Sequence, residues 1–273
     1  MKRIFFKICV AVFVLFVFLV ISFVVWRANL AHDVNAKLAA IRAAGLPTSG
    51  AELNAYYPAV PDSENAALVM TQVFGLMQTF PDSRSNEVDH FRIPLRGEFP
   101  TSEQKHIFAS YVEMNSAALA KMREAIKLPK SRYPIDFSLG MDCQLPHLSK
   151  LRDLARMEEY TTLLELESND LIKADASIKN ILGISRTLDY EPNTISWLVR
   201  ISTISIAVAM VERRLNLGDG DELELVALAS GFALSEKTNL LARTLIADRA
   251  IKMRYFHITW AEIKRISEAS GDA

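Results

Sequence analysis

Residues Ile8 to Trp26 form nineteen consecutive positions without a charge, interrupted among apolar side chains only by Ser22. At about 1.5 Å per residue such a helix is roughly 28 Å long, close to the hydrocarbon thickness of a bilayer. A secretory leader has a shorter apolar core, about 7–15 residues, and a small-x-small cleavage site. Here RANLAHDV follows Trp26 without a clean A-x-A, and FFKIC lacks the small residues that precede a lipid-modified cysteine. The pattern therefore predicts a retained signal anchor over residues 1–27, touching the membrane through residues 8–26. Basic residues are dense before the span, at Lys2, Arg3 and Lys7, which favours a cytoplasmic N-terminus and a body on the periplasmic or extracytoplasmic side.

The chain has 31 basic and 32 acidic residues, and its first 27 hold four basic and no acidic ones, so the remainder carries a net charge of −5. A mildly acidic body does not suit nucleic-acid phosphate, whose affinity rests on a basic face. Cys9 lies in the apolar run and Cys143 is alone beyond it, so no disulfide can staple the body. The fold must stand on packing.

Nine of the ten prolines fall between Pro47 and Pro146. Proline removes a backbone donor and clashes with the preceding turn. The expected organisation is a proline-segmented helical region over 28–147, containing an extended strap at 129–147, and a bundle of helical hairpins over 148–273. The fold class is all-α: a transmembrane helix followed by a bundle, or an irregular solenoid of antiparallel helix pairs.

The anchor helix should continue to Ala44 and stop at Gly45. Along it Leu30, Val34, Leu38 and Ile41 fall on one stripe, a candidate surface for self-association or a protein partner. Ser49-Gly50-Ala51-Glu52 and Thr101-Ser102-Glu103-Gln104 have capping-box form. Asp62 is placed as the cap of a helix running towards Phe80, Arg92–Gly97 as a short strand or extended strap, and 101–128 as one unbroken helix. Further helices are expected over 146–167, 170–188, 192–214, 221–234 and 236–266. Apolar on nearly every face, the segment after Pro192 reads as the centre of a bundle, with a second membrane span as its rival. Glu159 to Leu188 passes for one tetratricopeptide-like helix pair, but no repeat of about 34 residues follows it.

Three stretches, RAAGLPTSGAELNAYYPAVPDSENAA (42–67), RYPIDFSLGMDCQLPHLSKLRDLARM (132–157) and ISRTLDYEPNTISWLVRIS (184–202), resemble a group of uncharacterised bacterial proteins with a single N-terminal anchor. The likeness covers most of the body and implies an anchored helical protein, with no activity or catalytic residues to carry across.

The chain has no H-E-x-x-H, C-x-x-C, G-x-S-x-G or G-x-x-x-x-G-K, and no cofactor is expected. Gly218-Asp219-Gly220 lacks the third glycine and preceding strand of a dinucleotide fingerprint and reads as a helix end and turn. One segment concentrates chemistry. Asp136, Asp142, Cys143 and His147 supply hard and soft donors within twelve residues, enough in type for a metal site or a thiol–imidazole pair. As a strut, Tyr133, Ile135, Phe137, Leu139, Met141 and Leu145 occupy nearly alternate positions and would lay one side of an extended chain on the helices. The strut is preferred, because Asp142 and Cys143 are adjacent and neighbouring residues point opposite ways. Charges within apolar helices, at Arg200, Glu212, Arg213, Arg243 and Asp248, are expected to form buried ion pairs; the alternative is a pocket for an anionic ligand.

The functional expectation is a membrane-tethered helical interaction or scaffold protein of the bacterial cell envelope. The alternative is an envelope hydrolase or metal-dependent enzyme using residues 133–147.

Overall fold

The computed structural model describes residues 2–79, 93–94, 98–217, 222–235, 239–257 and positions 259, 261 and 264. Among them every regular element is a helix, with one isolated bridge between Asn65 and Lys130. It divides into two units, Met1–Thr48 and Ser49–Ala273.

The first unit holds the helix α1 (Lys2–Ala43), long and apolar enough to cross a membrane, with the apolar side chains from Val10 to Trp26 exposed and Leu38 and Ile41 half-buried. Its end is a Schellman arrangement: Gly45 takes φ 73°, and the Leu46 amide reaches back to the Ile41 carbonyl at 3.2 Å. Leu30 and Val34, from the stripe, are exposed.

In the second unit, α2 (Gly50–Tyr56) starts where Ser49 accepts from the Glu52 amide. Asp62 does not cap the next helix. It opens a short 3-10 turn, and Asn65 caps α3 (Ala66–Leu76) by accepting from the Ala67 amide at 3.1 Å. The helix expected over 101–128 is two, α4 (Ser102–Met114) and α5 (Ser116–Ala125). The break has a cause: buried Asn115 turns its amide to the Gln78 backbone, donating to its carbonyl at 3.1 Å and accepting from its amide at 2.8 Å. The two helices keep the capping box at Thr101 and Gln104.

Then follow α6 (Pro146–Glu167), α7 (Leu171–Arg186), α8 (Thr194–Leu215), α9 (Glu222–Ser235) and α10 (Leu240–Lys252), with α10 passing into a 3-10 turn at Met253–His257. α6 and α7 pack as an antiparallel hairpin, because Asn169 takes a left-handed φ of 59° and Asp170 caps α7 on the Lys173 amide. The Gly218–Asp219–Gly220 turn lies outside the described residues, as do most of 92–97 and much of the stretch expected to carry the last helix to 266.

One hydrophobic core takes residues from both sides of position 147. Met70, Val73, Phe108, Leu119 and Met122 meet Leu151, Leu154, Ile178, Ile181, Ala207 and Met210. Phe108 and Tyr160 stack at 4.3 Å. A smaller core joins Leu53, Tyr57 and Phe137 to Ala247, Ala250 and Ile251. α10 packs on both α8 and α2, so the body is an irregular bundle rather than an open stack.

α8 is not wrapped on all sides, contrary to its composition. Val199, Thr203, Ala207 and Met210 face inward, while Ile195, Leu198, Ile201 and Val208 are exposed. It is long and apolar enough for a span, yet it packs on α6, α7 and α10 and buries Arg200, Arg213 and Arg214.

Candidate functional site in the 129–147 strap

The strap alternates as extended chain must: Ser131, Tyr133 and Phe137 are buried, with Ile135 half-buried between them. Tyr133 belongs to the large core and Phe137 to the small one, so this segment stitches the two together. Alternation stops at Phe137, where a 3-10 turn (Phe137–Asp142) begins and Gly140 takes φ 68°. Leu139 is therefore exposed, against the inward position expected for it. The Met141 side chain lies outside what is described.

Asparagines fix the strap to the helices beside it. Asn65 accepts from the Arg132 amide at 2.8 Å and donates to its carbonyl at 3.1 Å. Asn54 accepts from the Phe137 amide at 2.8 Å and donates to Asp136 Oδ1 at 2.8 Å. Arg132 lies 4.8 Å over the Tyr57 ring and donates to the last carbonyls of α2, at Tyr57 (2.7 Å) and Asn54 (3.1 Å). These side chains do for the strap what a neighbouring strand would do in a sheet.

The four candidate donors do not gather. Exposed Asp136 caps the 3-10 turn, and bonds from Ser138 and Asn54 hold its carboxyl below the usual range. Asp142 is exposed. Cys143 is half-buried at the small core; burial pushes its thiol up, and the Glu191 and Asp136 carboxylates push the same way. That is the reverse of what a nucleophilic thiolate needs. Among the described residues no group of three His, Cys, Asp or Glu side chains is placed to hold a metal ion.

His147 has a different role. Its Nε2 lies 3.0 Å from both oxygens of Glu191, whose side chain is fully buried, and its ring stacks on Tyr133 at 4.2 Å. Ser196 also donates to Glu191. Both donors converge on the carboxylate, so the imidazole does not link hydroxyl to carboxylate as a catalytic triad requires. The Tyr133 hydroxyl donates to Thr187 at 3.3 Å, and Tyr57 accepts from the Tyr133 amide at 3.1 Å. Burial first, with Glu191 adding to it, pushes both phenols up, so they stay protonated.

The charges named within helices divide. Arg200 donates to Asp189 at 2.8 Å, both buried, and also to the Ser235 carbonyl. Arg213 donates to the backbone carbonyls of Glu98 (2.9 Å) and Pro94. Arg243 has no ion pair among the described residues: its guanidinium sits over the rings of Tyr56 (5.5 Å) and Tyr190 (5.7 Å), where an aromatic face takes the place of a carboxylate. Asp248 pairs with Lys252 one turn on along α10, near solvent, and not in the core. Glu212 is half-buried.

The strongest buried pair involves residues that periodicity did not single out. Arg214, fully buried, reaches both oxygens of Asp175 at 3.0 and 3.3 Å, with Glu224 at 3.9 Å. Arg123 likewise holds buried Glu158 at 2.9 and 3.3 Å. The one readable signal was DYEPN, the link before α8: Asp189 and Glu191 stand two apart, and both turn inward, to Arg200 and His147. Compared with protein-family models, with curated proteins and with solved structures, the chain finds no match in any of the three.

Proposed function

We propose that this protein is a membrane-tethered helical interaction module of the bacterial cell envelope, held by a retained signal anchor with its N-terminus in the cytoplasm and its body outside. The observation that carries this reading is the uncovered apolar row on α8, Ile195, Leu198, Ile201 and Val208. Apolar surface left in a row along one helix costs solubility and is retained where something covers it.

The favoured occupant is another protein. A helix that lies on lipid carries basic residues beside its apolar face. On α8 the arginines Arg200, Arg213 and Arg214 are buried, and between Thr194 and Val211 the exposed positions hold no charge. Such a row suits an aliphatic helix of a partner, read as anchors three and four residues apart. Tethering to the same membrane raises the partner's local concentration without any new contact.

The test is crosslinking in intact membranes followed by detergent solubilisation, comparing the native chain with Leu198→Glu/Ile201→Glu. One defined crosslinked species, lost in the double variant while residues 49–273 keep their helical signal, is the expected result. Recovery of the protein alone from both, or the same species from both, removes this reading.

A further inference from the structure

A pocket of about 240 Å³ opens between the α5–α3 side of the strap and the end of α7, lined among others by Lys127, Lys130, Ser131, Arg186, Thr187 and Tyr190. Its charges are unbalanced. Lys130 is bonded to Glu64 at 2.8 Å, and Asp189, the pocket's carboxylate, is bonded to Arg200 at 2.8 Å. Among the described residues Lys127 and Arg186 have no ion pair or side-chain hydrogen bond. A free guanidinium facing a concavity is a fork of donors without an acceptor.

A second observation points the same way. Ser131 is 3% exposed, and among the described residues its hydroxyl completes no hydrogen bond, although the Tyr133 hydroxyl stands beside it. A buried hydroxyl left unsatisfied costs about 1–3 kcal/mol, so such groups are retained where a ligand or ordered water completes them.

The helix ends beside the pocket are the C-termini of α5 and α7, whose carbonyls favour the cations Lys127 and Arg186 there. Carbonyls of Glu124 and Ala125 already accept from the Lys127 and Leu128 amides, and those of Ile184, Ser185 and Arg186 accept from Thr187, Leu188 and Asp189.

We infer that this pocket binds a small oxyanion of the phosphate class, held by Arg186 and Lys127 with the Ser131 hydroxyl donating from below. Size limits the ligand. Pockets for drug-sized molecules run to about 300–1,000 Å³, and this one, at about 240 Å³, takes phosphate or a phosphomonoester head but not a nucleotide. Inorganic phosphate and a lipid phosphate headgroup share this chemistry.

Calorimetric titration of the full chain in nonionic detergent with inorganic phosphate tests it, and a short-chain phosphatidic acid below its micellar concentration forms the second arm. The expected result is saturable one-site binding, weakened about tenfold or more, near 1.4 kcal/mol, by Lys127→Gln/Arg186→Gln and less by Ser131→Ala. Because neither side chain bonds another group among the described residues, the double variant keeps the native melting temperature. Lys121→Gln, on a surface pair with Glu124, leaves affinity unchanged. Phosphatidic acid binding more tightly than phosphate identifies the headgroup as the source; equal or weaker binding identifies the free anion. Absence of saturable binding of both probes, or equal binding by the native chain and the double variant, overturns the inference.

Discussion

Arg214 and Asp175 bring a full positive and a full negative charge together where neither meets water, with both carboxylate oxygens engaged. Removing Asp175 takes from desolvated Arg214 the carboxylate that both its bonds reach, with Glu224 standing farther off at 3.9 Å. Asp175→Ala should therefore cost about 3–5 kcal/mol, whereas Arg214→Met with Asp175→Leu should recover most of that loss. Denaturant unfolding of the two variants against the native chain checks the difference, and equal losses in both would contradict the pairing argument.

Gly50 is held to glycine by its neighbour. A Cβ there would stand 2.0 Å from the Phe137 carbonyl oxygen, which is backbone and cannot swing aside. Gly50→Ala should destabilise by about 1–3 kcal/mol through overpacking, although alanine is the better helix former. By contrast, a Cβ at Gly45 meets nothing, and only its φ of 73° resists substitution; there alanine should cost about 1 kcal/mol. Thermal melting of both variants separates steric from conformational cost.

His147 and Cys143 should respond in opposite ways. His147→Ala strands the buried Glu191 carboxylate and should cost about 3 kcal/mol, while Cys143→Ser should melt within about 1 kcal/mol of the native chain. Because the Cys143 thiol is pushed up, its reaction with maleimide should stay slow at neutral pH and accelerate only in alkali. Fast labelling at pH 7 would point to an activated cysteine instead.

Glu165 predicts a pH dependence. Burial pushes it up to about 7, Glu158 and Asp170 add to the push, and Ser177 and Arg123 oppose it. Between its ordinary value near 4.5 and about 7, the folded chain keeps a proton that the unfolded chain has released. This group's contribution to stability is then present at low pH and lost as pH rises through that window. Glu165→Gln should raise the melting temperature at pH 8 by roughly 2 °C, allowing for solvent screening on its open side, and do little at pH 5. An equal effect at both pH values would remove the assignment.

Helix positions were readable where the physics is local. Ser49, Thr101 and Asp170 cap the helices they precede, because a side chain and an amide three residues away settle each start, and Pro146 opens α6 through its fixed φ at the first helical position. The strap was legible as far as Phe137, since alternation needs only the pleat of an extended chain. Asn115 was not legible, because its amide acts on Gln78, a partner that only the tertiary fold supplies; Asn65 caps α3 locally on the Ala67 amide, but its hold on the Arg132 backbone needs the fold. α8 misled for a similar reason. Composition reports how apolar a helix is and not how many neighbours it meets, so Leu198 and Ile201 read as core. The pocket residues were invisible too, because Lys127 and Arg186 come together only once α5 and α7 are packed.

The bonds that seat the strap join residues far apart along the chain: Asn54 to Phe137 spans 83 positions, and Tyr57 to Tyr133 spans 76. At roughly 5–20 residues per second of synthesis, α2 waits several seconds for the segment that will cover it. During that interval Leu53 and Tyr57 stand open to water, so the ribosome-bound protein is an early client for any factor that shields apolar helices as they emerge.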